Sequence, residues 1–203
     1  MKSISKHLSL AAVAASSSLF LAAPALAQDG DQTASSACPE RAFSTVFSSY
    51  HDHALYTLAP DGDFEAGAAD WTLSDGASVV DESSSIQLGD SLGLKSLELA
   101  PGASVVSPAI CVERGFPSFR FASRLADGKR GALRVQVLYA SGRSKKTGRI
   151  RARSAWHVTR KLSLARGRFH LKPGQSADVQ LKFTASRGTV RMDDVYVDPR
   201  FRG

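Results

Sequence analysis

The sequence predicts an all-β fold, a sandwich of two antiparallel sheets preceded by an N-terminal arm. Three observations carry this: several short runs alternate apolar and polar residues, turn-forming dipeptides separate those runs, and no long apolar repeat at helical spacing competes with them. Leu133, Val135, Val137 and Tyr139 alternate with Arg134 and Gln136, Val179, Leu181 and Phe183 alternate with Gln180 and Lys182, and Phe119 and Phe121 flank Arg120. Successive side chains of a strand point to opposite faces, so each run offers one face to a core and the other to a polar surrounding. Asp61-Gly62, Asp75-Gly76, Pro101-Gly102, Asp127-Gly128, Ser141-Gly142 and Pro173-Gly174 supply the backbone geometry of tight turns.

Taken from the N-terminus, Lys2, Lys6 and His7 precede an uncharged apolar run from Leu8 to Leu21, which ends at Pro24-Ala25-Leu26-Ala27. That order is the export signature, and it predicts a cleavable signal peptide over residues 1–27 and a secreted or extracytoplasmic protein. The run falls short of the roughly 20 apolar residues that span a bilayer, and no later segment approaches that length, so no membrane span is expected. Residues 28–55 are expected to form a flexible leader and an N-terminal arm, because 28–37 contain no apolar residue larger than alanine. Phe43, Val46, Phe47 and Tyr50 fit one apolar stripe of a short helix, with an extended arm as the alternative. From residue 56 to 203 a single β-sandwich domain is expected, since the length suffices for one core.

Cys38 and Cys111 are the two cysteines, both beyond the predicted signal. An even count in an oxidising compartment predicts a disulfide, which would pin the arm. Charge is strongly polarised: residues 28–100 hold 13 acidic and 2 basic residues, whereas 101–203 hold 6 acidic and 22 basic. Its peak is residues 143–168, with ten lysines and arginines, Arg151 and Arg153 among them, and no Asp or Glu. Such a run suits an acidic glycan, an anionic cell-envelope polymer or anionic headgroups. The other outcome is that the acidic and basic halves neutralise each other across the fold. Exported proteins seldom meet nucleic acid, so nucleic acid is not the expected polyanion.

Catalytic signatures are missing: there is no Gly-x-Ser-x-Gly elbow, no His-Glu-x-x-His, no phosphate loop and no dinucleotide fingerprint. No catalytic residues are therefore expected, and the chain is read as a non-enzyme. His51 and His53 bracket Asp52 at strand spacing, which would turn both rings to one side, but no third ligand is evident.

Gly62-Asp63-Phe64-Glu65, followed by Asp70-Trp71-Thr72 and a closing Asp193-Asp194-Val195-Tyr196-Val197, resembles the galactose-binding-like jelly rolls that include many carbohydrate-binding modules. The ordered set also includes Ser107-Pro108-Ala109-Ile110-Cys111-Val112, Phe119-Arg120-Phe121 and Val135-Gln136-Val137-Leu138-Tyr139, and in that order it is similar to a group of small secreted bacterial proteins. The resemblance implies a jelly-roll β-sandwich over 56–200 and a first strand beside the last. It further implies a structural calcium ion where the opening Glu meets the closing Asp. Asp194 also falls in phase with Val190, Met192 and Tyr196 on the last strand, and a buried carboxylate needs a partner or a cation. Asp63, Glu65 and Asp194 are the expected calcium ligands; the alternative for Asp194 is backbone amides or an arginine such as Arg187 or Arg191.

For a glycan, an exposed aromatic would stack on a sugar ring. The resemblance implies that Trp71 packs the core, which leaves Trp156, with Arg151 and Arg153 near it in sequence, as the expected ligand-binding set. The function expected is a secreted, non-catalytic sandwich binding a carbohydrate or anionic envelope polymer. Its alternative is a structural or protein-interaction domain without a sugar site.

Overall fold

The computed structural model describes residues 38–90, 92–113, 118–164 and 175–198. The predicted signal peptide, the leader 28–37, and Arg166 and Arg168 of the basic run lie outside the described residues.

Every strand is short except two. The short ones are β1 (Thr57–Leu58), β2 (Thr72–Leu73), β3 (Ala77–Val80), β4 (Ser96–Leu99), β5 (Ser104–Val106), β6 (Ile110–Glu113), β8 (Ser144–Ala152), β9 (His157–Val158) and β10 (Leu162–Ser163). The long ones, β7 (Ser118–Tyr139) and β11 (Ser176–Asp198), pair antiparallel from Val179 opposite Tyr139 to Asp198 opposite Ser118. Register shifts between Ala185 and Val190 interrupt the ladder midway. Gly188 sits at that break with φ +64, and a Cβ there would meet the Arg130 carbonyl at 2.6 Å, so only glycine lets the chain turn at this point.

The two halves of the β7–β11 ribbon each gather their own neighbours. Around Leu133–Tyr139 and Val179–Ala185, β8 adds to β7, β5 and β6 add to β11, and β2 adds to β5. Around Ser118–Leu125 and Val190–Asp198, β9 and β10 add to β7, β1 and β4 add to β11, and β3 adds to β4. Phe183 of the first half lies 6.3 Å from Phe119 and 5.2 Å from Phe121 of the second, ring centre to ring centre. The halves therefore face each other as two antiparallel layers, the all-β sandwich that alternation predicted. Leu133, Val135, Val137, Leu181 and Phe183 fill the space between them, and Trp71, 6.3 Å from Phe183, joins this core.

A second, smaller core lies on the outer side of the second layer. Phe47, Ala54, Tyr56, Leu88 and Tyr196 form it, so the arm covers a sheet face that would otherwise be wet. The arm contains one 3₁₀ turn, Ser48–Tyr50, rather than a two-turn helix, and returns by a bridge from Ser44 to Tyr56. Phe47 is the buried member of the predicted stripe, while Phe43 and Tyr50 stay exposed. Cys38 and Cys111 are joined, with Cα atoms 5.6 Å apart and a sequence separation of 73.

Arg120 crosses from the sheet into the arm. Its guanidinium lies 4.5 Å from the centre of the Phe47 ring, Nη1 meets Asp52 Oδ2 at 3.0 Å, and Nε donates to the Thr159 carbonyl at 2.9 Å. Asp52 also accepts from the Tyr56 hydroxyl at 2.7 Å and pairs with Lys161 at 3.0 Å. Burial works against the charge of Asp52, but the Tyr56 hydroxyl, Lys161 and the Ala54 amide outweigh it and bring the carboxyl down to about 2. Asp52 is thus the buried centre of the arm's anchorage. His51 and His53 beside it are exposed, and His51 closes the 3₁₀ turn with φ 56. The strand geometry that would have aligned the two rings is absent there.

Two outcomes follow. Asp52→Ala leaves Arg120 buried without its counter-charge, and should cost about 3–5 kcal/mol in urea unfolding near neutral pH. Because the folded carboxyl titrates below its ordinary value, its contribution is present above about pH 4 and lost as pH falls towards 2. The gap between wild type and variant should narrow over that window, and a constant gap would overturn the assignment. Reduction of the Cys38–Cys111 bridge should cost about 4 kcal/mol for a loop of this length.

Candidate functional site

The charges of the two chain halves are only partly discharged within the fold. Arg124 and Arg191 pair with Glu82, Arg191 also pairs with Glu98 at 2.7 Å, and Arg120 and Lys161 share Asp52. Lys161 is the single member of the basic run in these pairs. Arg143, Lys146, Arg149, Arg151, Arg153 and Arg160 are otherwise placed: among the described residues none of them makes an ion pair, and all are exposed.

Strand pairing gathers part of that run into a cleft. Gly131 and Ala132 of β7 form its floor, with Arg130 beside them, Arg149 and Arg151 from β8 on one side and Arg187 from β11 on the other; its volume is about 490 Å³. Ala132 is buried yet takes no part in the central core, consistent with a side chain on the outer face of the first layer. Arg151 stands opposite Ala132 on one edge, and Arg187 stands opposite it on the other. With no acidic side chain among the described residues that line the cleft, these guanidiniums present forked donors and a positive potential to an anion.

The other members of the expected ligand-binding set lie elsewhere. Arg153 follows the end of β8, where its carbonyl accepts from the Leu125 amide at 2.6 Å. Trp156 precedes β9 and is half-buried, with the Arg124 guanidinium 5.7 Å from its ring centre. An arginine that is itself held by Glu82 therefore occupies the Trp156 face. Tyr56 is wholly buried and offers no ring to a ligand.

The expected calcium ligands lie where the loop before β2 meets the end of β11. Val195 exchanges backbone bonds with this loop: its carbonyl accepts from the Ala59 amide and its amide donates to the Gly62 carbonyl, at 2.8 and 2.9 Å. The phase of the last strand differs from the expectation. Asp193 pairs with Ala122 and Tyr196 with Arg120, so two residues of β11 oppose one of β7, and Asp194 takes φ 56. This bulge shifts the alternation: Val190 and Met192 face the central core, but so do Val195 and Val197, while Tyr196 faces the smaller core. Asp194 is consequently displaced from the core phase and sits half-buried beside Asp193.

Burial and the neighbouring Asp193, Asp63 and Glu65 push the Asp194 carboxyl up to about 8, and burial pushes Asp193 to about 7. Asp193, which the sequence did not single out, takes the amide-capping role considered for Asp194. It accepts from the Ser84 amide and the Asp194 amide, both at 2.8 Å. Glu65 accepts from the amides of Leu94 and Lys95 at 2.7 and 2.8 Å. Among the described residues the Asp194 carboxylate has no hydrogen-bond or ion-pair partner; Arg191 is committed to Glu82 and Glu98, and Arg187 lines the cleft. The donors are hard oxygens of the right charge for calcium. Among the described residues, however, no three His, Cys, Asp or Glu side chains are gathered as a metal site.

No protein-family model matches the chain, and no curated protein matches it. Among solved structures it is similar to TmCBM61 in complex with β-1,4-galactotriose, at 14% identity and TM-score 0.47, over 72% of this chain and 98% of that one. It is also similar to the CBM22-1 xylan-binding domain of Paenibacillus barcinonensis Xyn10C, at 13% identity and TM-score 0.47, over 70% and 94%. A family 6 carbohydrate-binding module matches at 12% identity and TM-score 0.42, over 66% and 92%. These neighbours are carbohydrate-binding modules, and at this similarity no ligand passes from them to this chain.

Proposed function

We propose that this chain is a secreted, non-catalytic β-sandwich that binds an anionic carbohydrate or cell-envelope polymer at the arginine cleft. The observation that carries this reading is the contrast between arginines. Arg120, Arg124 and Arg191 are neutralised within the fold, whereas Arg130, Arg149, Arg151 and Arg187 converge on one cleft with no ion pair among the described residues. Converging like charges repel, and a polyanion relieves that repulsion while gaining charge-assisted hydrogen bonds. Because Arg124 covers the Trp156 face, charge rather than sugar stacking supplies the affinity.

Titration of the oxidised protein with sulfated, phosphorylated and uronic-acid polymers at about 50 and 300 mM salt tests this. Binding should weaken steeply at the higher salt, since exposed charges are screened beyond a Debye length of about 10 Å or less. Arg149→Gln with Arg151→Gln should weaken it at least about ten-fold, or about 1.4 kcal/mol. Salt-resistant binding of neutral glycans would instead place the site on an aromatic surface. No binding to any of these polymers would leave the structural or protein-interaction role.

A structural calcium ion belongs to the same reading, held by Asp63, Glu65 and Asp194 after a local adjustment and serving to offset their mutual repulsion. Free calcium at about 100 times its dissociation constant would then stabilise the fold by about 2.7 kcal/mol. The corresponding rise in melting temperature is roughly 5–11 °C. Chelator should lower the melt and Asp194→Asn should remove the difference, with elemental analysis reporting any ion retained. An unchanged melt together with a metal-free analysis would remove calcium from this account.

A further inference from the structure

The register of β8, β7 and β11 arranges the cations of the first layer's outer face in rows. Reading across the strands, the first row is Arg151, Ala132 and Arg187, the second is Arg149, Arg134 and Thr184, and the third is Lys146, Gln136 and Lys182. The side chains of directly opposed residues share a face of an antiparallel sheet, and the flanking rungs, Leu133 opposite Ile150 and Val135 opposite Phe183, point into the core. Arg134 and Arg149 are therefore neighbours, both exposed, and like charges directly opposite each other are destabilising. Among the described residues none of these cations has an ion-pair partner.

The first row differs from the others in its middle position. Ala132 leaves a gap flanked by an arginine on each side, with backbones two inter-strand spacings apart, about 10 Å. That is within the combined reach of two arginine side chains. A carboxylate presents two oxygens in one plane, and one guanidinium fork takes their shared edge, whereas a sulfate or phosphate monoester carries a third terminal oxygen out of that plane for a second guanidinium from the opposite side. Along β7 the spacing from row to row is about 7 Å, with one extra residue bulged between Arg187 and Thr184 on β11 and between Arg149 and Lys146 on β8, so successive anionic groups of an extended polymer can meet successive rows.

Resting on the polyanion reading above, we infer that the cleft is a tetrahedral-oxyanion site: Arg151 and Arg187 grip one sulfate or phosphate group of a polysaccharide over Ala132. Arg134, Arg149, Lys146 and Lys182 extend the site along the chain of the polymer. Ala132 is then a specificity-determining residue, because it keeps the gap open.

The test is calorimetric titration at constant ionic strength with three polysaccharides of matched charge density, bearing sulfate monoesters, phosphate monoesters or carboxylates only. Wild type should bind the first two at least ten-fold more tightly than the third, and the sulfate and phosphate arms separate the two sources of the group. Ala132→Leu fills the gap without changing charge and should remove that preference while leaving the weak binding of the polyuronate. Arg151→Gln and Arg187→Gln should be coupled, the double variant losing less than the product of the single losses. Equal binding of all three polymers, an undiminished preference in Ala132→Leu, or independent losses from the two arginines would each overturn the inference while leaving the polyanion reading intact. Failure of wild type to bind any polyanion would remove that reading and the inference with it. Because Arg151 and Arg187 are exposed, their variants decide the matter even if Ala132→Leu melts early.

Discussion

The antiparallel pairing of β7 with β11 is the constraint on which the rest of this structure depends. Both layers are built outwards from that ribbon, and neither half of it could bury its apolar face alone. Phe183 touches Phe119 and Phe121 only because the ribbon turns back on itself at the break near Gly188. The irregularities of the ladder matter as much as its regular part. The shift after Ala185 brings Arg187 opposite Ala132, and the bulge at Asp193 and Asp194 sets two carboxylates side by side. A polar feature of the protein therefore lies at each interruption of its longest pairing, where alternation is reset and side chains can be aimed away from the core.

The second layer is buried on both faces, which is unusual for an antiparallel sheet and explains the arm. Phe119 and Phe121 serve the central core, while Arg120 between them turns outwards into a space closed by Phe47 and Asp52. A buried arginine is tolerable here because each part of it is matched: its face by an aromatic ring, Nη1 by a carboxylate and Nε by a carbonyl. The disulfide acts on the same segment from the other end, by restricting the unfolded chain. Covalent and ionic anchorage are thus divided between Cys38 and Asp52.

Charge is partitioned rather than cancelled. Glu82 and Glu98 hold Arg124 and Arg191, whereas Asp63, Glu65, Asp193 and Asp194 are near enough to one another to raise the last two carboxyls. The first layer's outer face keeps its cations uncompensated among the described residues. Like-charged regions that repel internally rely on solvent or salt to carry the countercharge.

The sequence by itself determined the strand class, the core faces of β7 and of β11 ahead of its bulge, and the pairing of two cysteines. These follow from period-two alternation and from a count of two, both of which are local properties of the chain. It also showed a basic run that included Arg149 and Arg151. What it did not contain was register. Arg187 joins Arg130, Arg149 and Arg151 in the cleft because residues far apart in sequence are hydrogen-bonded neighbours, and a shift of one residue would have turned it to the other face. For the same reason Asp194, in core phase by simple alternation, is displaced by a bulge that alternation cannot reveal. Trp156, polar-flanked in sequence, is likewise covered by an arginine from another strand. Tertiary structure decided the site because a site is a set of distances across strands, and those are set by pairing rather than by the order of residues along one strand.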